Sequence, residues 1–175
     1  GAIGYLTDPN ECEMALNDGT ADVVFLGRPL ITDAAFPNKA ASGNANRIRY
    51  CVSCNSCWRN IIEAGALACD NNPRVGDPDE HRELTLAVTH QRHVVVVGSG
   101  VSAMEAAHTA AQRGHRVSVI GNIDQVGGKT RLHAQLPGGE NLSSVYDYQY
   151  LMAQQAGVHF TQNRQAQVED VLALN

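Results

Sequence analysis

Arg92-His-Val-Val-Val-Val-Gly98-Ser-Gly100-Val-Ser-Ala103-Met-Glu-Ala-Ala107 reads as a strand, a tight turn and the start of a helix. Four consecutive valines suit a strand covered on both faces of a parallel sheet. The turn places small residues at Gly98, Gly100 and Ala103. In such a turn Gly98 permits the sharp reversal, Gly100 lets the backbone approach a pyrophosphate, and Ala103 lets the helix pack closely on the strand. The helix N-terminus faces the same phosphates, so Ser99 and Ser102 join the expected contacts. A glycine triplet alone is weak. Here the helix ends at Arg113-Gly114-His115, and a second strand, Arg116-Val-Ser-Val-Ile120, closes a βαβ unit of about thirty residues. One position departs from the pattern. An acid should end the second strand and hold a ribose hydroxyl, but Gly121 stands there and the nearest acid is Asp124. No basic residue lies between 121 and 124, so a 2′-phosphate is not favoured either. A nucleotide fold that binds nothing is the competing reading.

Upstream, Tyr50-Cys-Val-Ser-Cys-Asn-Ser-Cys-Trp58 and Ala68-Cys-Asp-Asn-Asn-Pro73 hold four of the five cysteines, as Cys51, Cys54, Cys57 and Cys69. A tight turn can aim three thiolates so spaced at one point while a fourth returns from further along, as a metal or an iron–sulfur cube requires. Disulfides would need an oxidising compartment. Cys-x-x-Cys redox chemistry would leave Cys57 and Cys69 without a role. Structural zinc usually takes two separated knuckles. A [4Fe–4S] cluster fits best, with zinc as the alternative. Trp58 can shield such a cluster or, the favoured reading, anchor a core. Ile61 and Ile62 are expected to pack beneath the loop, and Cys12 to be a small buried hydrophobe.

The 175-residue chain is compatible with one domain or pieces of two. A formal charge of −5 argues against nucleic acid or an anionic membrane as partner. No apolar run approaches a membrane span and no secretory signal is visible, so the thiols are expected in a reducing cytoplasm. The chain starts at Gly1, at a strand-to-loop junction, and stops at Asn175 in an unfinished pattern, which suggests a piece of a longer polypeptide.

Between 1 and 48, Thr7 or Asp8 can cap a helix with Pro9 and Glu11 in its first turn and Cys12, Ala15 and Leu16 on one face. Ala21-Asp-Val-Val-Phe-Leu26 reads as a strand buried on both faces, and Gly27-Arg28-Pro29 leads into a further helix through Asp33 and Ala40. Gly27 and Arg28 at a strand end can hold a phosphate or be an ordinary turn. Residues 76–92 read as a polar linker in which His81 and His90 are solvated. Beyond Gly127-Gly128, a helix is expected over 142–156 and a strand at 157–160, with a further element opening at Glu169.

These motifs, in this order, resemble one family. Gly1-Ala-Ile-Gly4 with Ala21 to Leu30 resembles the end of an old-yellow-enzyme (β/α)8 barrel. Arg49 to Cys57 with Cys69-Asp-Asn-Asn-Pro73 resembles the cluster segment of iron–sulfur flavoproteins similar to 2,4-dienoyl-CoA reductase and trimethylamine dehydrogenase. The two residues between Cys54 and Cys57 are nearer the amine-dehydrogenase type. Asp124 to Lys129 resembles the Gly-Gly turn of two-dinucleotide-domain flavoproteins, which implies a contact at Gly128. The resemblance implies an α/β chain in three parts: barrel end (1–48), cluster segment and linker (49–90) and the first part of a Rossmann domain (91–175). It implies FMN phosphate on Gly1, Ala2, Gly27 and Arg28, and the cluster on the four cysteines. FAD, or bare ADP, is implied at the glycine turn, with NAD(P)H as reductant. A barrel histidine and tyrosine would do the chemistry elsewhere; no catalytic residue is carried over here. The implied activity is NADH:flavin oxidoreductase, passing electrons between NAD(P)H, FAD and FMN through the cluster to an activated alkene such as an enoyl-CoA or enone. Alternatives are an amine dehydrogenase of the same family, a non-catalytic zinc module, or a remnant that does not fold alone. Small-molecule substrate and further polypeptide on either side are the expected partners.

Overall fold

The computed structural model describes residues 1–63, 65–82 and 88–174. The chain forms two compact units, Gly1–Glu83 and Leu84–Asn175.

The first unit begins with β1 (Ala2–Ile3), α1 (Pro9–Asn17) and β2 (Val24–Phe25), with β1 and β2 paired in parallel. Asp8 caps α1: its carboxylate accepts from Asn10 N at 2.7 Å, and the Glu11 carboxylate reaches back to Asp8 N at 3.3 Å. These bonds satisfy amides that have no partner within the helix. The expected apolar face of α1 is not buried: Leu16 is exposed and Cys12 only half-buried. Nor is the 21–26 run covered on both sides, since Val23 and Phe25 are exposed and only Ala21 is buried. β1 is the only strand paired with β2 among the described residues, so β2 lacks the neighbours that a covered strand needs.

The helix expected to run through Asp33 is instead two, α2 (Arg28–Thr32) and α3 (Phe36–Ala41). Asp33 breaks it by taking an extended conformation and accepting from Ala35 N at 3.0 Å. Its buried carboxylate also receives Lys39 Nζ at 2.6 Å and Arg49 N at 2.9 Å. A charge that leaves water needs partners of this kind. Phe36 and Ile48 supply the apolar part of this unit's interior. The last helix, α4, runs from Ser56 to Ile62.

In the second unit β3 (His93–Val97), β4 (Arg116–Ile120) and β5 (His159–Thr161) form a parallel sheet in the order β3-β4-β5. Val95 lies opposite Ser118, and Ser118 opposite His159. α5 (Val101–Gln112) links β3 to β4, followed by α6 (Gly128–His133), α7 (Ser143–Gln155) and, after β5, α8 (Val168–Leu172). Parallel neighbours require such crossovers. The core joins Val117, Val119 and Val158 to Met104 and Ala107 of α5 and Ala153 of α7. Complete burial of an aliphatic side chain contributes about 1.5–3 kcal/mol. Alanines at 107 and 153, both fully buried, leave room for α5 and α7 to approach each other. The strand expected at 157–160 starts two residues later, because Gly157 has φ +78 and still belongs to the turn.

The unfinished pattern at Glu169 is α8, opened by a capping box in which the Asp170 carboxylate accepts from Gln167 N at 2.9 Å and from Arg164. The Gln167 amide first, and then Arg164, hold the Asp170 carboxyl below its usual 3.8. A depressed carboxyl stabilises the fold above its unfolded value and loses that contribution as pH falls through the folded one. Acidification below 3.8 is therefore expected to release the Gln167 amide, read as loss of its hydrogen-exchange protection, while Val119 amide protection persists.

His81 and His90 are exposed, as expected; residues 83–87 of the linker lie outside the described residues. Among the described residues no helix is long and apolar enough to cross a membrane.

Candidate functional site

All four cysteines of the 51–69 segment line one cavity, together with Arg28, Thr32, Val52, Asn55 and Asn71. The turn that achieves this is unusual in its backbone. Ser53 and Asn55, on either side of Cys54, both have positive φ, at +54° and +61°. Two left-handed residues in three curl the chain so that Cys51, Cys54 and Cys57 reach the same hollow. Left-handed geometry costs an L-residue roughly 1–2 kcal/mol, least for asparagine. Cys57 enters from the first turn of α4. Cys69 returns from the far side, with its Sγ 3.8 Å from Thr32 Oγ1. All are free thiols.

Hydrogen bonds that involve no cysteine hold this arrangement. Ser56 Oγ donates to the Asp70 carboxylate, tying the start of α4 to the residue after Cys69. Asn71 Nδ2 donates to Tyr50 O at 2.9 Å, Arg49 Nη1 to Asn71 O at 2.8 Å, and Asn72 Nδ2 to Ile31 O at 2.9 Å. Arg28 Nη1 donates to Asn55 Oδ1 at 2.6 Å. Among the described residues no three His, Cys, Asp or Glu side chains are grouped so as to hold a metal ion.

Two expectations near this cavity need correction. Trp58 is 62% exposed, and Ile61 and Ile62 are also exposed. Trp58, Ile61 and Ile62 stand at i, i+3 and i+4 and so share one side of α4, which is left exposed. Trp58 is neither a core anchor nor a lining residue, and the isoleucines do not pack beneath the loop. Cys12 stands apart from the cavity; burial first, and then Glu11 and Asp8, push its thiol pKa up.

At the carboxyl ends of β1 and β2 lies a second cleft, lined by Gly4, Tyr5, Leu6, Thr7, Phe25, Gly27, Arg28, Pro29, Cys51 and Ser53. Gly27 and Arg28 belong to it; Gly1 and Ala2 do not. They sit at the entry of β1, where Ala2 N already donates to Val23 O at 2.8 Å, whereas ligands of parallel strands gather at the exits. The residues missed are Gly4 to Thr7, which follow the last paired residue of β1. A Cβ placed on Gly27 would meet nothing within 4 Å. That open space at a strand end fits an oxyanion beside Arg28.

In the second unit the glycine turn is built as its sequence implies. Gly98 has φ +115, and its N–H donates to Ile120 O at 2.8 Å. Ser99 is buried and spends its hydroxyl on Gln125 O at 3.2 Å, while Ser102 is exposed on the first turn of α5. Ala103 is the nearest neighbour of a Cβ built on Gly98, at 4.0 Å. Gly127 N donates to Ser99 O at 2.8 Å, and Gly127 bridges Gly100 in parallel. A Cβ on Gly128 would lie 3.1 Å from Gly100 Cα, so the two glycine turns touch backbone to backbone. Gly100 differs. Its dihedrals, φ −75 and ψ 171, suit any residue, and a Cβ there would meet nothing within 4 Å. Neither a positive φ nor crowding requires the glycine, which also suits its place as N-cap of α5, and a pyrophosphate at the N-terminus of that twelve-residue helix would occupy the open space.

The missing ribose acid has a structural cause. A Cβ at Gly121 would lie 3.2 Å from both Cβ and Oγ of Ser99, and glycine relieves that approach. Asp124 does not replace it at the turn. It lines a separate cavity of about 540 Å³ with Val126, Arg131, Tyr146, Asp147 and Tyr150, to which no fingerprint glycine contributes.

The parallel sheet, the glycine turn at its carboxyl edge and the helix that starts there define a nucleotide-binding oxidoreductase fold of the flavoprotein kind. The chain belongs to the pyridine nucleotide-disulphide oxidoreductase family, whose model matches residues 55–142. It is 34% identical to an NADH oxidase from Thermoanaerobacter brockii, over 99% of this chain and 27% of that protein. It is 32% identical to a metal reductase from Desulforamulus reducens, over 98% of this chain and 26% of the relative. The solved structure of a histamine dehydrogenase from Rhizobium sp. 4-9 superposes with a TM-score of 0.91 at 28% identity, covering 97% of this chain and 25% of that one. These relatives are members of the iron–sulfur flavoprotein family that the motifs resemble. The chain spans about a quarter of their length.

Proposed function

We propose that the whole protein is an iron–sulfur flavoprotein oxidoreductase and that this chain carries its cofactor-binding centre. The observation that carries the reading is the convergence of Cys51, Cys54, Cys57 and Cys69 on one cavity. These thiolates would hold a [4Fe–4S] cluster. Gly27 and Arg28, with residues 4–7, would hold the phosphate of FMN at the exits of β1 and β2, which makes residues 1–48 the end of a barrel and 49–90 its cluster segment. Gly98, Gly100 and Ala103 would cradle the pyrophosphate of FAD or ADP, with Gly128 keeping the second turn against Gly100 and Ser102 beside the helix N-terminus, in a Rossmann unit over 91–175. Bound, the flavins would exchange hydride or electrons and the cluster single electrons between them, with NAD(P)H as reductant.

The substrate is a small molecule, and the activated alkene of an enoyl-CoA or enone is the first reading. The spacing of Cys54 and Cys57 and the likeness to a histamine dehydrogenase support amine oxidation as the second. Reduced thiols of this kind belong to a cytoplasmic protein. Iron, acid-labile sulfide and zinc analysis of the anaerobically purified chain tests the centre: iron with matching sulfide is expected, and a colourless protein with stoichiometric zinc would overturn it.

The nucleotide site has its own test. Gly100→Val fills open space without straining the backbone and loses only glycine's preference at the N-cap of α5, so its effect on stability should be about 1 kcal/mol. The same side chain blocks the backbone's approach to a pyrophosphate. ADP affinity measured by calorimetry should fall at least about tenfold, the equivalent of one charge-assisted hydrogen bond. Unchanged ADP binding would place the nucleotide elsewhere.

A further inference from the structure

Arg28 and Cys51 line both the strand-end cleft and the cysteine cavity. Arg28 Nη1 donates to Asn55 Oδ1 at 2.6 Å, and its guanidinium carbon lies 5.7 Å from the centroid of the Tyr5 ring. Tyr5 belongs to the cleft and Asn55 to the cavity. Asn55 is the left-handed residue between Cys54 and Cys57 and stands at the N-cap of α4. Its side chain makes no capping bond to that helix and is turned to Arg28.

We propose that Arg28 and Asn55 couple the two sites: an oxyanion such as a phosphate monoester in the strand-end cleft fixes the Arg28 guanidinium, which holds Asn55 and with it the Cys54–Cys57 turn facing the cavity. This rests on the reading of the cleft as a phosphate site. A guanidinium presents five N–H groups in a rigid fork. Nη1 can stay on Asn55 while Nε and Nη2 turn to an oxyanion. A lysine ammonium keeps the charge but not the fork, so it cannot hold both partners in fixed relation. Asparagine suits position 55 twice over, because it tolerates the left-handed conformation and offers the acceptor. By linkage, occupation of the cysteine site tightens phosphate binding by the same factor that phosphate tightens the cysteine site.

The test needs no cluster. Inorganic phosphate is titrated into the full chain, metal-free and reduced, with calorimetry for binding. Alkylation rates by iodoacetamide are resolved cysteine by cysteine through peptide mapping. Cys12, on α1 and outside the cavity, is the internal control. Phosphate is expected to slow alkylation of Cys54 and Cys57 at least about fivefold, the lower end of ordinary coupling between sites, and to leave Cys12 unchanged. Asn55→Gly keeps the left-handed turn without the acceptor and should bind phosphate yet lose the protection. Arg28→Lys should lose it too. Phosphate that binds without protecting Cys54 and Cys57, or protects them equally in Asn55→Gly, overturns the coupling alone. Absence of phosphate binding overturns the cleft reading and the coupling with it.

Discussion

Cys57→Ala is expected to lower iron and acid-labile sulfide per chain by more than about tenfold, since even second-sphere changes cost metal sites about 10- to 100-fold. Cys57 is the informative position because it comes from a helix rather than from the loop. Its place in the first turn of α4 fixes its direction, and Ser56 at the start of that helix is bonded to Asp70, next to Cys69. Neither neighbouring cysteine can move into its place without unwinding α4. The fold should survive the change, because Asn71, Asn72 and Arg49 anchor the segment without using a thiol. Cys12→Ala should leave iron content as it was, for Cys12 lines no part of the cavity. Full iron retention in Cys57→Ala, with loss in Cys12→Ala, would show that the ligands are misassigned.

Gly127→Ala should destabilise the second unit by about 3 kcal/mol. Two costs add. The residue has φ +99, where an L-side chain is disfavoured by roughly 1–2 kcal/mol. A Cβ there would also lie 2.7 Å from Cγ and Cδ1 of Tyr146, an overlap with a half-buried ring that falls in the range of about 1–3 kcal/mol for overpacking. Gly138→Ala separates the two, since Gly138 has φ +82 but nothing within 4 Å of its Cβ position. In a unit of this size each kcal/mol lowers Tm by about 4–8 °C. Scanning calorimetry should therefore show the drop at Gly127 clearly exceeding that at Gly138. Equal drops would mean that Tyr146 yields, and that the Gly-Gly turn is fixed only by its backbone.

What the sequence disclosed follows from how local the cause was. Four valines, then Gly98, Gly100 and Ala103, mark β3, its turn and α5 because each element rests on its own residues. The Asp8-Pro9-Glu11 cap of α1 was readable for the same reason, and so was the clustering of the cysteines. The outward face of α4 was not, since seven residues are too few for periodicity to reveal which side Trp58 occupies. Ser53 gave no warning of its left-handed geometry, because glycine or asparagine is the usual sign of it, and Asn55 gave only a weak one. The break at Asp33 depends on Arg49, sixteen residues away, and on Lys39, a pairing that only the folded chain brings about. Phe25 looked like a covered strand residue because apolar runs do not say how many neighbours a strand has. Gly121 was visible as a departure, but its reason, the approach of Ser99, needs the packed structure.

The cysteine-free anchors bear on how the centre is assembled. A zinc finger has no site until the metal arrives, so its binding energy is spent on folding the chain. In this chain Tyr50 to Asn72 is already tied to its surroundings by Asn71, Asn72, Arg49 and Ser56. Iron and sulfide delivered to it would meet a shaped receptacle with little ordering entropy left to lose. Insertion can then follow folding, and a centre stripped by chelation should refill in place without the polypeptide having to unfold and start again.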